Sequence, residues 1–390
     1  MIARNTAPII RQFSGESRIL ILVGPRQTGK TSLCRQVFRG LPYSSLDTPA
    51  NLDFARMDPV GFLTQSKEGM VIDDLHREPS LLSYLLEIVE EGRHTGTFVI
   101  VSPHFSSAIR SLASSPSSSI ASILRILPLS RRELSSAGMD PGTLHETLFQ
   151  GGYPPIFDQP LDPLAWLDSY ITNYLERDVR QMVNVRDLSA FRLFVRICAG
   201  HTGQVLNMTR IGADVGVDQK TIRAWLQVLE ESFVIRLLHP HPRNFGKRIV
   251  KTPKLYFYDT SLAARLAGIG AAEQILTHPL RGPLFENWVI TELLKERDAR
   301  GLPDNLYFWQ NHTGLQMDIL ADREGELLPI IIKSGASLAS DWFGNIQEFQ
   351  KIAKGQSGTP FLVYGGDQEQ TQTGTCVLPW HRIMEIGVWV

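Results

Sequence analysis

The sequence has little of what disulfide-stabilised, strongly charged or membrane-spanning proteins require. Only three of its 390 residues are cysteines, and Cys34, Cys198 and Cys376 are too widely separated to suggest a disulfide framework or a CxxC-type metal site. Neither sign of charge dominates, since 39 Lys and Arg face 40 Asp and Glu. The longest apolar stretches, such as residues 19–23 and 327–332, are far shorter than the roughly 18 residues of a membrane span. These absences predict a soluble, cytoplasmic protein with buried thiols and no membrane association.

Short apolar runs alternate with helical patterns in the first third of the chain. Residues 19–23, 70–72 and 98–101 are rich in Ile, Leu and Val and are bounded by Gly, Pro or charged residues. Residues 81–91 between them repeat Leu and Ile at helical spacing. This alternation predicts a parallel sheet flanked by helices, in which the strands are buried on both faces.

The segment GPRQTGKT has the spacing G-x-x-x-x-G-K-[ST] of a phosphate-binding loop. It follows the first predicted strand and precedes a helix predicted over residues 32–38, which is the context that the motif requires. Lys30 is predicted to reach the β- and γ-phosphates of ATP, and the Thr31 hydroxyl to bind Mg²⁺. The residues predicted to bind the nucleotide are Gly24, Pro25, Arg26, Gln27, Thr28, Gly29, Lys30, Thr31 and Ser32.

The next two predicted strands end in polar residues that suit nucleotide hydrolysis. Asp73 is predicted to hold Mg²⁺ through water, and Asp74 to polarise the attacking water, although two aspartates that merely cap a strand are the alternative. Aspartate is one methylene shorter than the more usual glutamate, so slow hydrolysis is expected. Ser102 is predicted to sense the γ-phosphate, whereas His104 is equally compatible with a solvent-facing loop. Lys30, Asp74 and Ser102 are thus the predicted catalytic residues.

Residues 206–226 predict a helix, a turn at Gly216 and a second helix with Asp218 as its N-cap. The second helix would bury Ile222, Trp225, Leu226 and Leu229, and expose Lys220 and Arg223 as a recognition helix does. The following residues 239–254 carry five cations and no acid, which predicts a basic wing: Arg243, Lys247, Arg248, Lys251 and Lys254. A winged helix of this kind suits contact with DNA phosphates, and protein–protein contact is the alternative.

Three residues near the C-terminus have the order of a restriction-endonuclease-like, or PD-(D/E)XK-like, site. Glu286 lies on a predicted helix, Asp318 on a strand, and Lys333 at the end of the next strand. Such a site needs two or three carboxylates to hold Mg²⁺ and a lysine to stabilise developing charge. Ile331 stands where a further acid is expected, and isoleucine cannot coordinate a metal. The site is therefore predicted to be catalytically degenerate.

From about residue 15 onward the chain resembles bacterial and archaeal AAA+-type P-loop ATPases that carry a winged helix and a C-terminal nuclease-like domain of unknown function. The segments that carry the resemblance are residues 22–31, 71–74, 127–130, 151–154, 174–178, 251–259, 285–287 and 314–318. The family usually has Asp-Glu where Asp73 and Asp74 stand, and Glu where Ile331 stands. The resemblance implies ATP binding and oligomerisation, while these departures disfavour rapid hydrolysis and nuclease activity.

Together these observations predict an α/β protein with four segments. They are a P-loop NTPase domain with a parallel sheet at residues 1–150, a helical linker at 151–203, a winged helix-turn-helix at 204–270, and a small PD-(D/E)XK-like α/β domain at 271–390. The predicted function is a slow ATPase, with ATP and Mg²⁺ as cofactors, that couples nucleotide state to the later modules. DNA, a second copy of the chain or another protein is the expected partner. The alternatives are a nucleotide-gated scaffold without significant turnover and an ATP-regulated nuclease. Arg110 and Arg125 are candidates for an arginine that stabilises transition-state charge.

Overall fold

The computed structural model describes residues 2–113, 120–159, 161–179, 187–243, 249–353 and 355–387. Its N-terminal part is a parallel sheet of five strands with helices on both faces. The elements are α1 Ala7–Glu16, β1 Ile19–Val23, α2 Lys30–Val37, β2 Tyr43–Ser45, α3 Pro49–Met57, α4 Pro59–Leu63, β3 Gly69–Asp73, α5 Leu81–Glu90, β4 Thr97–Ser102, α6 Ser107–Ala113 and β5 Ala121–Arg125.

The strand order of this sheet is β2-β3-β4-β1-β5, which is typical of P-loop NTPases. Strands β1 and β3 are buried along their whole length, as their uninterrupted apolar sequences predict. Strand β4 lies between them, with Ser102 beside Val23 in the register. The carboxyl ends of β1, β3 and β4 therefore meet at one edge of the sheet, where parallel α/β folds place their ligand sites.

The middle of the chain is mainly helical. Its elements are α7 Arg131–Ser136, α8 Leu144–Gln150, α9 Pro154–Asp158, α10 Pro163–Tyr170, a π-helix Ile171–Val179, α11 Leu188–Gly200, α12 Met208–Val215, α13 Gln219–Glu231, β6 Ile235–Leu238, β7 Lys254–Phe257 and α14 Thr260–Leu266. The predicted helix–turn–helix is confirmed, with Gly216 in the left-handed region and Asp218 capping α13. The predicted inner face of α13 is buried and its predicted outer face is exposed.

The last part is a six-stranded mixed sheet against a long helix. Its elements are α15 Arg281–Ala299, β8 Leu306–Gln310, β9 Gln316–Arg323, β10 Glu326–Lys333, α16 Gly344–Ile352, β11 Phe361–Tyr364, β12 Gln370–Gln372, β13 Thr375–Pro379 and α17 Ile383–Ile386. The strand order is β12-β13-β11-β10-β9-β8. Short 3₁₀-helices occupy Leu75–Arg77, Ala272–Leu276, Ser340–Phe343 and Trp380–Arg382.

The connection between β6 and β7 packs against the C-terminal sheet in both of its described parts. The His241 N–H donates to the Phe308 carbonyl at 2.8 Å, and the Val250 N–H donates to the Gln310 carbonyl at 3.0 Å. Lys254 is buried, so its assignment to an exposed basic wing is wrong. Arg243 and Lys251 are exposed. Lys247 and Arg248 lie outside the described residues.

The Gly-Gly pair predicted to separate the first two segments is a tightly packed turn. Gly151 has φ of +64°, and a Cβ there would lie 2.1 Å from a carboxylate oxygen of Asp259. The Gly152 N–H donates to the same carboxylate at 2.8 Å. Gly151 is thus required by its contact with Asp259 at the start of α14, and Gly152 by the Leu129 carbonyl oxygen, which would lie 2.4 Å from a Cβ there. The boundary at residue 150 stays a prediction.

Two further predictions concern the cysteines and membrane-spanning helices. Cys34 and Cys198 are buried as predicted, whereas Cys376 is only partly buried. Across the described ranges, the helices are too short or too polar for any of them to traverse a lipid bilayer.

Candidate nucleotide-binding site

The predicted phosphate-binding loop joins β1 to α2 through residues in unusual backbone conformations. Gly24, Gln27 and Gly29 all have positive φ, at 145°, 63° and 86°. A Cβ at position 24 would lie 2.3 Å from the Ile126 carbonyl oxygen, so only glycine is compatible with this turn. The loop leads directly into the N-terminus of α2, which begins at Lys30. Loop and helix together form the type of backbone arrangement that binds phosphate.

The Lys30 side chain folds back over its own loop. Its ammonium donates to the carbonyls of Gly24 and Pro25 at 2.7 and 2.6 Å. Burial lowers the pKa of Lys30 to about 7, although the nearby Asp73 carboxylate opposes this shift. The lysine is therefore held inside the loop that is predicted to bind phosphates.

The two residues predicted to bind Mg²⁺ lie in direct contact. The Thr31 hydroxyl donates to Oδ2 of Asp73 at 2.6 Å, and the Tyr43 hydroxyl donates to the same oxygen at 2.7 Å. The Asp74 N–H donates to the other carboxylate oxygen at 2.8 Å. A hydroxyl beside a carboxylate is a donor set that suits Mg²⁺. Within the described ranges, no three His, Cys, Asp or Glu side chains form a metal-binding cluster.

Asp74 adjoins this pair but is held by the neighbouring strand. Its backbone is left-handed, with φ of 61°, and its Oδ2 accepts a hydrogen bond from the Ser45 hydroxyl at 3.0 Å. Burial, and then the Asp73 charge, raise the pKa of Asp74 above its usual range. His76 lies beside it, with 3.9 Å between its Nδ1 and the Asp74 Oδ1.

Ser102 lies at the predicted edge of the sheet, and its hydroxyl closes a local turn. It donates to the His104 carbonyl at 2.9 Å and accepts from the His104 N–H at 3.2 Å. Its role as a γ-phosphate sensor stays a prediction. His104 is buried, so the alternative that it is a solvent-facing loop residue is wrong.

Arg4 is a contact of the phosphate-binding loop that sequence reasoning missed. Its guanidinium donates to the carbonyls of Thr28 and Leu127, both at 2.6 Å, and to the Glu133 carboxylate at 3.0 Å. Arg4 therefore ties the loop to the start of α7. Arg4 lies 24 residues before Thr28 in the sequence, and no sequence pattern links the two, so this contact could not be predicted.

The end of β5 and the residues that follow it connect the N-terminal part to α15. Arg125 donates to Oδ1 of Asp298 at 3.0 and 2.8 Å, and also to Asp304 at 3.2 Å. The Lys295 ammonium donates to the Leu129 carbonyl at 2.9 Å, and the Arg131 N–H to Glu292 at 2.9 Å. Arg125 is thus engaged within the chain.

The predicted nuclease-like residues are brought close together, with an additional lysine among them. The Lys254 ammonium donates to Glu286 at 3.0 Å, and the Tyr256 hydroxyl donates to the same oxygen. Burial and the Glu286 charge raise the pKa of Asp318 to about 6, while Lys254 and Lys333 oppose that shift. Ile331 is buried in the sheet. Neither Lys254 nor Tyr256 was predicted to belong to this cluster.

Comparison with known proteins identifies the class of the N-terminal part. A model of an AAA domain family matches residues 16–135. Two families described as domains of unknown function, DUF8612 and DUF4143, match residues 142–273 and 281–383. With its parallel sheet and phosphate-binding loop, the N-terminal part is an AAA-type P-loop ATPase domain.

Most of the chain matches curated relatives in mycobacteria. It is 30% identical over 328 residues to uncharacterized protein Rv2008c of Mycobacterium tuberculosis and to uncharacterized protein Mb2031c of Mycobacterium bovis. The match covers 83% of this chain and 71% of each relative, so the chain belongs to the family of these proteins.

Two solved structures show weaker likeness. The RuvB Holliday junction branch migration motor of Thermotoga maritima is 16% identical, with a TM-score of 0.32 and coverage of 62% of this chain and 91% of that one. The Aeropyrum pernix ORC1 protein, solved in complex with DNA, is 16% identical, with a TM-score of 0.32 and coverage of 68% and 93%. TM-scores this low identify neither a shared overall fold nor a shared activity.

Proposed function

We propose that this protein binds ATP with Mg²⁺ at the loop of residues 24–32 and hydrolyses it slowly. The observation that carries the proposal is the 2.6 Å hydrogen bond between Thr31 and Asp73. It brings the hydroxyl and the carboxylate that P-loop enzymes use for Mg²⁺ together at the edge of the sheet. The bound ion would neutralise charge on the β- and γ-phosphates. Lys30, held inside the loop, would bind the same phosphates.

The environment of Asp74 supports slow turnover. The residue that polarises water must place its carboxylate within hydrogen-bonding distance of that water. In Asp74 a short side chain is already bound by Ser45, and the left-handed backbone fixes its direction. Reorienting this carboxylate would add to the barrier, which supports an ATPase with modest rates.

Direct contacts between the domains support coupling of nucleotide state to the rest of the chain. Arg4 joins the loop at Thr28 to α7, and the segment that leads into α7 is bound by Lys295 of α15. On another side, the Phe105 N–H after β4 donates to the Glu231 carbonyl at the end of α13 at 2.8 Å. Movement of the loop on nucleotide binding would therefore reach both later parts of the chain.

Measurement of ATP turnover tests the proposal. We expect Mg²⁺-dependent hydrolysis by the wild-type protein and loss of at least about 100-fold in Lys30→Ala, because the lysine contacts the transferred phosphoryl group. Lys30→Ala should also bind a fluorescent ATP analogue more weakly than the wild type does. Equal background rates in the two proteins would contradict hydrolysis. If the wild type nevertheless binds ATP tightly, the alternative of a nucleotide-gated scaffold is supported.

The exposed face of α13 supports DNA contact as a second function. Lys220 and Arg223 lie one turn apart near the start of this helix, where recognition helices contact DNA, and both are exposed. Arg243 and Lys251 are also exposed, and Lys247 and Arg248 complete the proposed set of cations. These exposed cations support a winged helix that contacts DNA. The described parts of the predicted wing, however, pack against β8.

Salt dependence tests the DNA contact. If the six cations of this set bind phosphates, the logarithm of the affinity for a 20-base-pair duplex should fall with the logarithm of salt concentration with a slope of about −5.4. The double variant Lys220→Glu, Arg223→Glu should bind much more weakly, while Arg56→Glu on α3 should bind as the wild type does. Binding that is unaffected by the double variant would favour a protein partner or a second copy for this surface.

The environment of Lys254 supports a degenerate nuclease-like site. A buried ammonium bound to Glu286, and interacting with Asp318, supplies the positive charge that a metal ion would otherwise provide. We therefore propose that Glu286, Asp318 and Lys333 belong to a restriction-endonuclease-like fold that no longer cleaves DNA.

Removal of Lys254 is expected to have two effects. Lys254→Ala should destabilise the protein by about 3–5 kcal/mol, because it leaves buried carboxylates without their cation. It should also acquire stabilisation by millimolar Mn²⁺ in thermal unfolding, which the wild type and the exposed control Lys251→Ala should lack. Conversely, Mg²⁺-dependent DNA cleavage by the wild type that is lost in Asp318→Ala would establish the nuclease alternative.

A further inference from the structure

A cavity of about 750 Å³ lies where three parts of the chain meet. Its wall includes Ile123 of β5, Phe233 between α13 and β6, and Leu302 between α15 and β8. Cavities of about 300–1,000 Å³ are typical of sites for small molecules. None of residues 24–32 lines this cavity, so it is separate from the phosphate-binding loop.

Aromatic side chains supply much of the wall. Phe233 packs edge-on against Tyr258, with ring centroids 5.4 Å apart, and against Phe105 at 6.4 Å. Tyr307 also lines the cavity, and both Phe105 and Tyr307 are half-buried, which leaves part of each ring accessible. Aromatic walls favour a planar ligand, because ring packing adds to the gain from burying apolar area.

The guanidinium groups of the wall are already paired with carboxylates. Either sign of net charge on a ligand would be opposed by like charges at short range, so a neutral ligand suits this wall best. The pairs are Arg125 with Asp298 at 2.8 Å and with Asp304 at 3.2 Å, Arg236 with Asp304 at 2.9 Å, and Arg110 with Glu231 at 3.3 Å.

The Tyr258 hydroxyl is a buried donor without a partner. The residue lines the cavity and is only 6% exposed, and no other group in the described part of the chain forms a hydrogen bond with its hydroxyl. Burial raises the pKa of Tyr258, and the charges of Arg236 and Arg125 oppose that shift. A buried phenol normally finds a hydrogen-bond partner. We therefore expect a ligand of this cavity to offer an acceptor to Tyr258.

Glu230 is the complementary acceptor. It lines the cavity near the end of α13, and its carboxylate forms no ion pair with any residue that the structure describes. Burial raises the pKa of Glu230, whereas His239 and the Leu237 N–H lower it. The Glu230 charge in turn helps to raise the pKa of Tyr258, so the two groups are neighbours. A carboxylate has about four acceptor positions, which leaves several for N–H donors of a ligand.

We propose that this cavity binds a neutral, planar nitrogen heterocycle of the nucleobase class, as a free base or nucleoside. Nucleobases carry donors and acceptors in one plane at the edge of a flat ring. Glu230 would accept the N–H donors, Tyr258 would donate to the neighbouring acceptor, and Phe105 would pack against the ring. Guanine suits the pair best, because two of its N–H donors adjoin a carbonyl oxygen. The bound base would contact the N-terminal sheet, the end of α13 and the connection after α15 together.

Calorimetric titration of the full chain with guanosine and inosine tests this site. The two nucleosides differ only by the 2-amino group, so the wild type should bind guanosine at least about tenfold more tightly, as for one hydrogen bond to a charged group. Glu230→Gln should bind guanosine at least about tenfold more weakly and lose most of this preference. Tyr258→Phe should weaken binding of both nucleosides about fivefold. The controls Glu87→Gln and Tyr84→Phe, which change exposed residues of α5, should bind as the wild type does.

A cavity-filling variant keeps the proposal open to contradiction. Leu302 is 39% exposed at the wall of the cavity, so Leu302→Trp should retain the thermal unfolding temperature of the wild type while its indole displaces guanosine. Saturating Mg²⁺·ATP should leave guanosine bound, since the two sites share no residue. A wild type that binds no guanosine at millimolar concentration, guanosine binding that survives in Leu302→Trp, or competition by ATP would each overturn the proposal. Equal affinity of the wild type for guanosine and inosine would overturn the role of Glu230.

Discussion

Asp73→Asn is expected to reduce ATP turnover by about 10³-fold. Its carboxylate accepts hydrogen bonds from Thr31 and Tyr43 and carries the charge that would hold Mg²⁺. Loss of the ion's contribution removes several kcal/mol of transition-state stabilisation, and about 4 kcal/mol corresponds to this factor. Steady-state phosphate release over a range of Mg²⁺ concentrations measures it. The asparagine variant should require much more Mg²⁺ for its residual activity.

Tyr43→Phe is the matched control for this prediction. It removes one hydrogen bond to the same carboxylate oxygen but keeps the charge, so turnover should fall no more than about tenfold. If Tyr43→Phe and Asp73→Asn lose activity equally, the Asp73 carboxylate supports turnover by stabilising the local fold and not by binding Mg²⁺. If Asp73→Asn retains wild-type turnover and Mg²⁺ dependence, the assignment of the metal site is wrong.

Arg125→Met is expected to destabilise the folded protein by about 3–5 kcal/mol. Arg125 binds two carboxylates of the C-terminal part, and its partner Asp298 is buried. Removal of one member of a buried pair leaves the other charge without compensation. In thermal unfolding this corresponds to a fall of roughly 6–20 °C for a unit of 150–250 residues. Arg110→Met is the control, because its side chain is half exposed and should contribute less than about 1 kcal/mol.

The destabilisation should shrink as the pH is lowered. Burial raises the pKa of Asp298 to about 6, against the opposing charge of Arg125, from an ordinary value of 3.8. A raised carboxyl pKa stabilises the folded state at low pH, and this contribution is lost as the pH rises through 6. Without Arg125 the folded-state pKa would rise further, so the variant is penalised most at pH 7 and least near pH 5. If Arg125→Met loses the same stability at pH 5 and at pH 7, the pairing of Arg125 with Asp298 is contradicted.

The candidate site at the edge of the N-terminal sheet could be predicted because each of its residues directly follows a strand that the sequence itself indicates. Each buried strand is an unbroken apolar run, and the polar residues that follow β1 and β3 must meet when those strands lie parallel. The contact of Thr31 with Asp73 follows from this rule. Tyr43 escaped prediction because β2 has only three residues and no apolar run.

Contacts between distant segments could not be predicted in this way. The charges of Arg4 and Lys254 are visible in the sequence, but their partners Glu133 and Glu286 are 129 and 32 residues away. Charge alone placed Lys254 in an exposed wing, since lysine is seldom buried without a partner. Its partner Glu286 lies on α15, and the packing of β7 against α15 brings the two together.

The ion pair between Lys254 and Glu286 also limits how the chain can be divided. The lysine lies in the segment matched by one family, and the glutamate in the segment matched by the next. A fragment that began at residue 281 would keep Glu286, Asp318 and Lys333 but lose Lys254, the cation bound to Glu286. Such a fragment should fold poorly at neutral pH and improve in acid as Asp318 takes up a proton. The charge of Lys254 in one segment therefore bears directly on the stability of the other.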